Sequence, residues 1–320
     1  MPDGIAAARA LGIPLEQAGG YPFRGIRFCQ NETSVEAAFP HGPGLGVRRT
    51  ALHAFLADCA AQAGVRLAWG VPVTGLHPEG VHAAGSLVRA RWIVGADGGR
   101  SNVRRWAGLD ACRRDSRRFG FRRHYRVAPW SEYMELHWGH ASQIYVTPVS
   151  QTEVCVALIS SDSRLRLDDA LPRFPAVARR LAGAAATTLE SGAVSASRRL
   201  KAVHRGRVVL VGDASGSVDA ITGYGLCLLF QHAAALGRAM EADDPRLYAA
   251  EHRRIGRRPE FMARLMLMMD RRDGLRSRAI RAMSGAPRLF EGMLAMHIGE
   301  ISPPAFLTNS LQLGWRMLTL

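Results

Sequence analysis

Residues 207–226 read RVVLVGDASGSVDAITGYGL, and the order of elements in that stretch decides the fold. Val208, Val209, Leu210 and Val211 form a short, wholly apolar run of the kind buried on both faces of a parallel sheet. The run leads straight into Gly212-Asp213, then a turn, then Gly223 and Gly225, where a helix is predicted to begin. Glycines let a backbone come close to a ligand and take positive φ, and a helix N-terminus offers unpaired N–H groups to an electron-rich oxygen. Asp213, at the strand tip, can accept hydrogen bonds from sugar hydroxyls. The bland alternative is a structural strand-turn-helix whose glycines are incidental.

Two earlier stretches have related logic. Residues 91–109, RWIVGADGGRSNVRRWAGL, contain the apolar piece Trp92-Ile93-Val94, which ends in Gly95-Ala96-Asp97-Gly98 and is followed by Ser101 and Arg104. A carboxylate at a strand tip beside glycines is a pattern of nucleotide-binding α/β sheets. In residues 46–67, GVRRTALHAFLADCAAQAGVRL, the side chains of Leu52, Phe55, Leu56, Cys59, Ala60 and Ala63 recur at helical spacing. Thr50 is placed to cap that helix and Gly64 to end it. Arg49 stands just ahead of the helix, where its forked guanidinium suits a diphosphate or polyol. After the helix, Val65 with Leu67 and Val71 with Val73 read as short strands separated by Gly and Pro.

From Phe119 to Ser160 the pattern turns to aromatic and β-branched segments, such as 143–147 (QIYVT) and 154–158 (VCVAL), without long helical periods. A mostly antiparallel sheet is expected there. Beyond residue 240 the chain reads as helical and rich in arginine and methionine, with Met262, Met266 and Met269 on one face. That face either packs on the core or meets lipid or a greasy substrate.

The chain carries 42 basic and 27 acidic residues, a formal charge of +15, and only Lys201 is a lysine. Such a balance suits nucleic acid, an anionic membrane surface or a phosphate-bearing cofactor. No helix-turn-helix, zinc or aromatic-platform signature accompanies it, which argues against a nucleic-acid-binding module. The five cysteines, Cys29, Cys59, Cys112, Cys155 and Cys227, lie far apart in odd number, with no metal-ligand spacing. No metal site is expected, and a reducing cytoplasm is the simplest setting. His53, His124, His137 and His232 are unremarkable as lone histidines, so no catalytic residue is assigned.

Taken together, the three stretches resemble the para-hydroxybenzoate hydroxylase superfamily of flavoproteins, over nearly the whole chain. The resemblance implies an α/β fold: an FAD-binding Rossmann-like domain, an inserted mostly antiparallel substrate-domain sheet and a helical C-terminal region. The divisions it implies are residues 1–110 and 201–240 for FAD binding, 111–200 for the sheet and 241–320 for the helices. Gly212-Asp213-Ala214 corresponds to the family's ribityl-contacting motif, and Gly223, Gly225 and Leu226 to the backbone that approaches the flavin ring. Asp97-Gly98 corresponds to a sequence linked to FAD and NAD(P)H binding, and Arg49 to an arginine that contacts FAD.

The implied activity is that of an oxidoreductase: NAD(P)H reduces FAD, and the reduced flavin activates oxygen to hydroxylate a small or lipophilic substrate. Two departures bear on it. Ser215-Gly216-Ser217 and Ala220 stand where the hydroxylases usually carry a GDAAH-type segment and a later proline. Thr222-Gly223-Tyr224-Gly225 is closer to the TGEG segment of the geranylgeranyl reductase branch, with Tyr224 in place of its acidic residue. Reduction of isoprenoid double bonds therefore stands beside hydroxylation. The C-terminal helices could also contact a membrane peripherally.

Members of the superfamily begin with a strand, a GxGxxG turn and a helix that holds the FAD diphosphate. The cluster Gly42-Pro43-Gly44-Leu45-Gly46 has neither that spacing nor that context. The expectation is a chain that starts inside the family's sequence, with about 40 to 50 residues ahead of it in the intact protein. Weak FAD binding, or an inactive remnant, would follow. In-frame codons for a GxGxxG segment upstream of Met1 would support this expectation, and an in-frame stop directly upstream would overturn it.

Overall fold

The computed structural model describes residues 1–301 and 303–319; the side chains of residues 113–115 and 303 lie outside the description. Helix α1 (Pro2–Arg9) is followed by β1 (Tyr21–Phe23), β2 (Gly25–Gln30), β3 (Thr33–Ala38) and β4 (Gly44–Gly46). Strands β2 and β3 form an antiparallel hairpin, and β1 pairs with β4. Helix α2 (Arg49–Gln62) comes next, one residue earlier than the sequence suggests. Thr50 does not cap it: Arg48 holds the extended cap conformation, and Thr50 is already helical.

Only part of the expected strand material after α2 is strand. The antiparallel set β5 (Val73–His77), β6 (Gly80–Ala83) and β7 (Ser86–Arg89) starts at Val73, and residues 65–72 lie in no strand. Gly64 and Gly70 both take positive φ, 79° and 69°, which breaks an extended run. Val65, Leu67, Trp69 and Val71 are exposed. Strand β8 (Ile93–Gly95) and helix α3 (Asn102–Trp106) complete this part of the chain.

The antiparallel segment holds β9 (Cys112–Arg126), β10 (Tyr133–Trp138), β11 (Ser142–Ser150) and β12 (Glu153–Ser160). Two short helices, α4 (Leu167–Ala170) and α5 (Pro175–Leu181), then cover one face of these strands. Strands β13 (Ala185–Ala186) and β14 (Ser191–Leu200) both return to β9. The eight-stranded sheet runs β13-β9-β12-β11-β10-β2-β3, with β14 also on β9, so it takes in residues 25–38 from far upstream. The β10–β2 pairing is parallel and the other pairings are antiparallel.

Strands β15 (His204–Arg205) and β16 (Val208–Leu210) return the chain to β8, and β16 pairs parallel with it, Leu210 opposite Gly95. Val209 and Leu210 are fully buried, as an apolar parallel strand requires. Helix α6 (Gly225–Glu241) follows the glycine turn and packs on α1. The rest is helical: α7 (Pro245–Arg271), α8 (Asp273–Ser284), α9 (Pro287–Ile298) and α10 (Pro303–Thr319). Met262, Met266 and Met269 of α7 are buried. The last two join Ile280 and Met283 of α8, and Phe290 and Leu294 of α9, against Ile26, Phe28, Val35 and Ala37 of the β2–β3 hairpin. The methionine face thus packs on the core. Among the described residues, no helix is long and apolar enough to cross a membrane.

Behind the glycine turn, the rings of His232 (α6) and His252 (α7) stack with centroids 4.2 Å apart. Burial, with His252 beside it, pulls His232 down to about 3, and burial pulls His252 down to about 4. Unfolded, both return to the ordinary histidine value of about 6.5, so below that pH the unfolded chain binds more protons than the folded one. This contribution to stability is complete above about pH 6.5 and is lost as the pH falls toward about 4. Thermal melts should show Tm dropping by more than about 5 °C between about pH 7.5 and about pH 5. His232→Phe should shrink that drop; a Tm flat across the range would refute the account.

Candidate functional site

The parallel β8–β16 pairing sets the two motif turns side by side, because both strands end at the same edge. One buried side chain ties the turns together. Arg104, in α3, donates from Nη1 to the Ala214 carbonyl at 3.0 Å and from Nη2 to the Gly99 carbonyl at 2.9 Å. Its Nε donates to Asp110 at 2.7 Å. Asp97 turns inward too: its carboxylate accepts from the backbone N–H of Asn102 at 2.7 Å and of Val103 at 3.1 Å, fixing the start of α3. Burial alone would raise the Asp97 pKa, but hydrogen bonds from Ser101 and these backbone groups outweigh it and hold the carboxyl below its usual range.

In front of this scaffold lies a cleft of about 1010 Å³ that brings together Arg49, Gly212, Asp213, Gly223, Gly225 and Leu226. Asp97, Gly98 and Ala214 are not among its lining residues. Sequence reasoning missed Arg198, Arg100 and Asp219, which do line it. Arg198 lies on β14, the strand that returns to β9 just ahead of the 207–226 stretch, and no local pattern marks it.

Each of the gathered residues has room to act. Arg48 is committed to Glu153 at 2.6 Å and Thr187 at 3.1 Å, whereas Arg49, next in sequence, is exposed and faces the cleft. The Asp213 carboxylate is open to the cleft, yet the walls remove enough water to raise its pKa, against the pull of Arg49 and Arg198. Gly212 and Gly223 take φ of 59° and 61°, which a side chain would strain. A Cβ at Gly225 would meet no protein atom within 4 Å, so packing does not demand a glycine there. Among the described residues no side chain caps α6, whose first-turn N–H groups have no partner within the helix itself. Bare backbone, an uncapped helix start, a hydroxyl acceptor and two arginines fit a flavin with its ribityl chain.

The far wall of the cleft is the short turn Ala220–Thr222, and it is strongly braced. Asp219, 2% exposed, accepts from the Ile221 backbone N–H at 3.0 Å and lies 3.3 Å from Arg118 Nε. Arg118 also pairs with Asp270 of α7 at 2.5 Å, and Gln143 of β11 donates to the same Asp270. Tyr145, also on β11, donates to the Ile221 carbonyl at 2.6 Å. A sheet, a helix and the turn are thereby fixed to one another. Beyond the turn lies a small apolar cavity of about 40 Å³, lined among others by Phe28, Tyr145, Ile221, Met266, Met293 and His297.

With this geometry in hand, the comparisons agree. The family model for the FAD binding domain matches residues 30–243, so the chain belongs to that family. No curated protein matches the chain. Among solved structures, a flavoprotein/dehydrogenase from Cytophaga hutchinsonii is similar over 100% of this chain and 88% of its own, with TM-score 0.80 at 17% identity. A variant of 2-methyl-3-hydroxypyridine-5-carboxylic acid oxygenase is similar over 96% and 84%, with TM-score 0.71 at 20% identity. OxyS anhydrotetracycline hydroxylase from Streptomyces rimosus is similar over 93% and 66%, with TM-score 0.67 at 23% identity. The chain shares its fold with these flavoproteins and belongs to the FAD binding domain family.

The Arg104 clamp makes a sharp demand. A lysine offers one compact charge and cannot span two carbonyls and a carboxylate. Arg104→Lys should lower the unfolding free energy by about 2–4 kcal/mol in urea titrations, because the Ala214 carbonyl and the Asp110 carboxylate lose their guanidinium donor while Gly99 keeps Arg198. A loss under about 0.5 kcal/mol would mean the clamp is dispensable.

Proposed function

We propose that the chain forms the flavin- and substrate-binding body of an FAD-dependent monooxygenase that uses NAD(P)H as reductant on a small, lipophilic substrate. The observation that carries this reading is the placement of two chambers. The polar cleft and the apolar cavity share the turn at residues 220–222, with Ala220 on the cleft side and Ile221 and Thr222 on the cavity side.

When bound, FAD supplies the electron-transfer chemistry. Arg49 would donate hydrogen bonds to phosphate or polyol oxygens, Asp213 would accept from a ribityl hydroxyl, and the α6 N-terminus would face an electron-rich ring oxygen. The methionine and phenylalanine walls of the cavity would hold an apolar substrate and keep water away from it. Tyr145 and Asp219 hold the intervening turn still, so cofactor and substrate keep a fixed relation.

The methionine-lined cavity also supports the second reading, reduction of an isoprenoid double bond. Helix α10 leaves Leu307, Leu311, Trp315 and Leu318 exposed, which favours peripheral contact with a membrane.

Titrating the 320-residue chain with FAD and following flavin fluorescence should give saturable binding, weakened about tenfold by Arg49→Ala, the value of one charge-assisted hydrogen-bonding group. Gly225→Val should abolish it by filling the approach to the helix. No saturable binding by the wild-type chain would defeat the reading. Substrate-dependent oxygen uptake with NAD(P)H separates the two chemistries, since double-bond reduction consumes none.

A further inference from the structure

We propose that His297 is the specificity-determining residue of the apolar cavity: its Nδ1 accepts a hydrogen bond from the single O–H or N–H of an otherwise apolar substrate. The inference rests on reading the cavity as the substrate chamber.

The argument starts from the polar atoms in that wall. Most of the lining is aliphatic, aromatic or methionine, and the polar exceptions are Tyr145, Thr222 and His297. The Tyr145 hydroxyl is committed to the Ile221 carbonyl at 2.6 Å. The Thr222 hydroxyl donates to the Asp219 carbonyl at 3.0 Å and accepts from the Tyr224 N–H at 3.3 Å. His297 differs. Its residue is 5% exposed, and Nδ1 is buried without a hydrogen-bond partner, alone in this respect among the side-chain atoms of the described lining residues. A buried nitrogen left unpaired is costly and rare, and a partner delivered from outside the chain is the simplest way to satisfy it.

The ring is also held in place. It meets the Tyr224 ring edge-on with centroids 5.1 Å apart. It sits in the last turn of α9, whose end is closed by Gly299 at φ 88°. Burial first, then the nearby Arg258 guanidinium and the chain's amino terminus, pull His297 down to about 4. At neutral pH the imidazole is therefore uncharged and has a lone pair to offer. A rigid acceptor in an apolar wall discriminates: a ligand with a donor satisfies it, and one without a donor leaves it unpaired. The resting cavity, about 40 Å³, is small for such a ligand. Its walls include Met262, Met266 and Met293, whose unbranched side chains re-pack readily to make room.

Fluorine NMR titrations of the full chain with para-fluorophenol and para-fluorotoluene test this, since the two probes are similar in size and differ in one donor. The wild type should bind the phenol about tenfold more tightly, a difference of about 1.4 kcal/mol. His297→Leu should erase that preference while leaving para-fluorotoluene affinity within about twofold. His297→Asn, which keeps an acceptor, should retain part of it. Met266→Trp should remove binding of both probes by filling the cavity. Equal affinities in the wild type, or a preference that survives His297→Leu, would overturn the role of His297 and leave the chamber reading intact. Failure of both probes to bind, or binding that ignores Met266→Trp, would overturn the chamber reading and His297 with it. Should the leucine variant not fold, para-fluoroanisole on the wild type decides: it must bind as weakly as the toluene, because its oxygen carries no proton.

Discussion

The buried guanidinium of Arg104, seconded by Arg198, holds the polar half of this protein in register. Its donors reach the Gly99 carbonyl of one motif turn, the Ala214 carbonyl of the other and the Asp110 carboxylate below them. Strand pairing aligns β8 with β16, and beyond the strands Arg198 of β14 adds a second link, its guanidinium donating to the Gly99 carbonyl while its backbone bridges to Ser217. With the clamp in place, the turns make one continuous floor, and Asp213 and the start of α6 are presented to the same cleft. The clamp works because Arg104 is buried, so its hydrogen bonds face no competition from water.

The second constraint lies on the opposite wall. Asp219 and Asp270 converge on Arg118, and this charged cluster joins the turn to a sheet strand and to α7. Buried ion pairs contribute little net stability but strongly resist the loss of one partner, which makes them suited to holding a geometry. That geometry is a wall one turn thick between a polar cleft and an apolar cavity.

The C-terminal helices have a structural and a chemical role at once. They bury Met266, Met269, Ile280 and Phe290 against the β2–β3 hairpin, which explains why methionine recurs along one face of α7. The same packing leaves a gap at its edge, and α9 turns His297 toward it. Stability and recognition thus draw on the same contacts.

Much of this could be read from local sequence, because local sequence dictates local backbone. The apolar run at 208–211, the glycines at 212 and 223, the helix from Gly225, the antiparallel segments from Phe119 onward and the buried methionine face all express short-range patterns. Residues 65–72 misled because alternating apolar residues do not make a strand without a partner for the backbone. Asp97 was legible as a strand-tip carboxylate, but not that its Oδ2 is spent on the start of α3. Arg118, Arg198 and His297 were illegible as a class: Arg118 reaches Asp270, 152 residues on, Arg198 reaches Gly99, 99 residues back, and one arginine among so many has no mark of its own. By itself, then, the sequence determined which segments become strands and helices and where the backbone must be bare. Only the tertiary structure decided which charges meet, which nitrogen stays unpaired and where the two chambers touch, since those depend on distances between segments that no local pattern encodes.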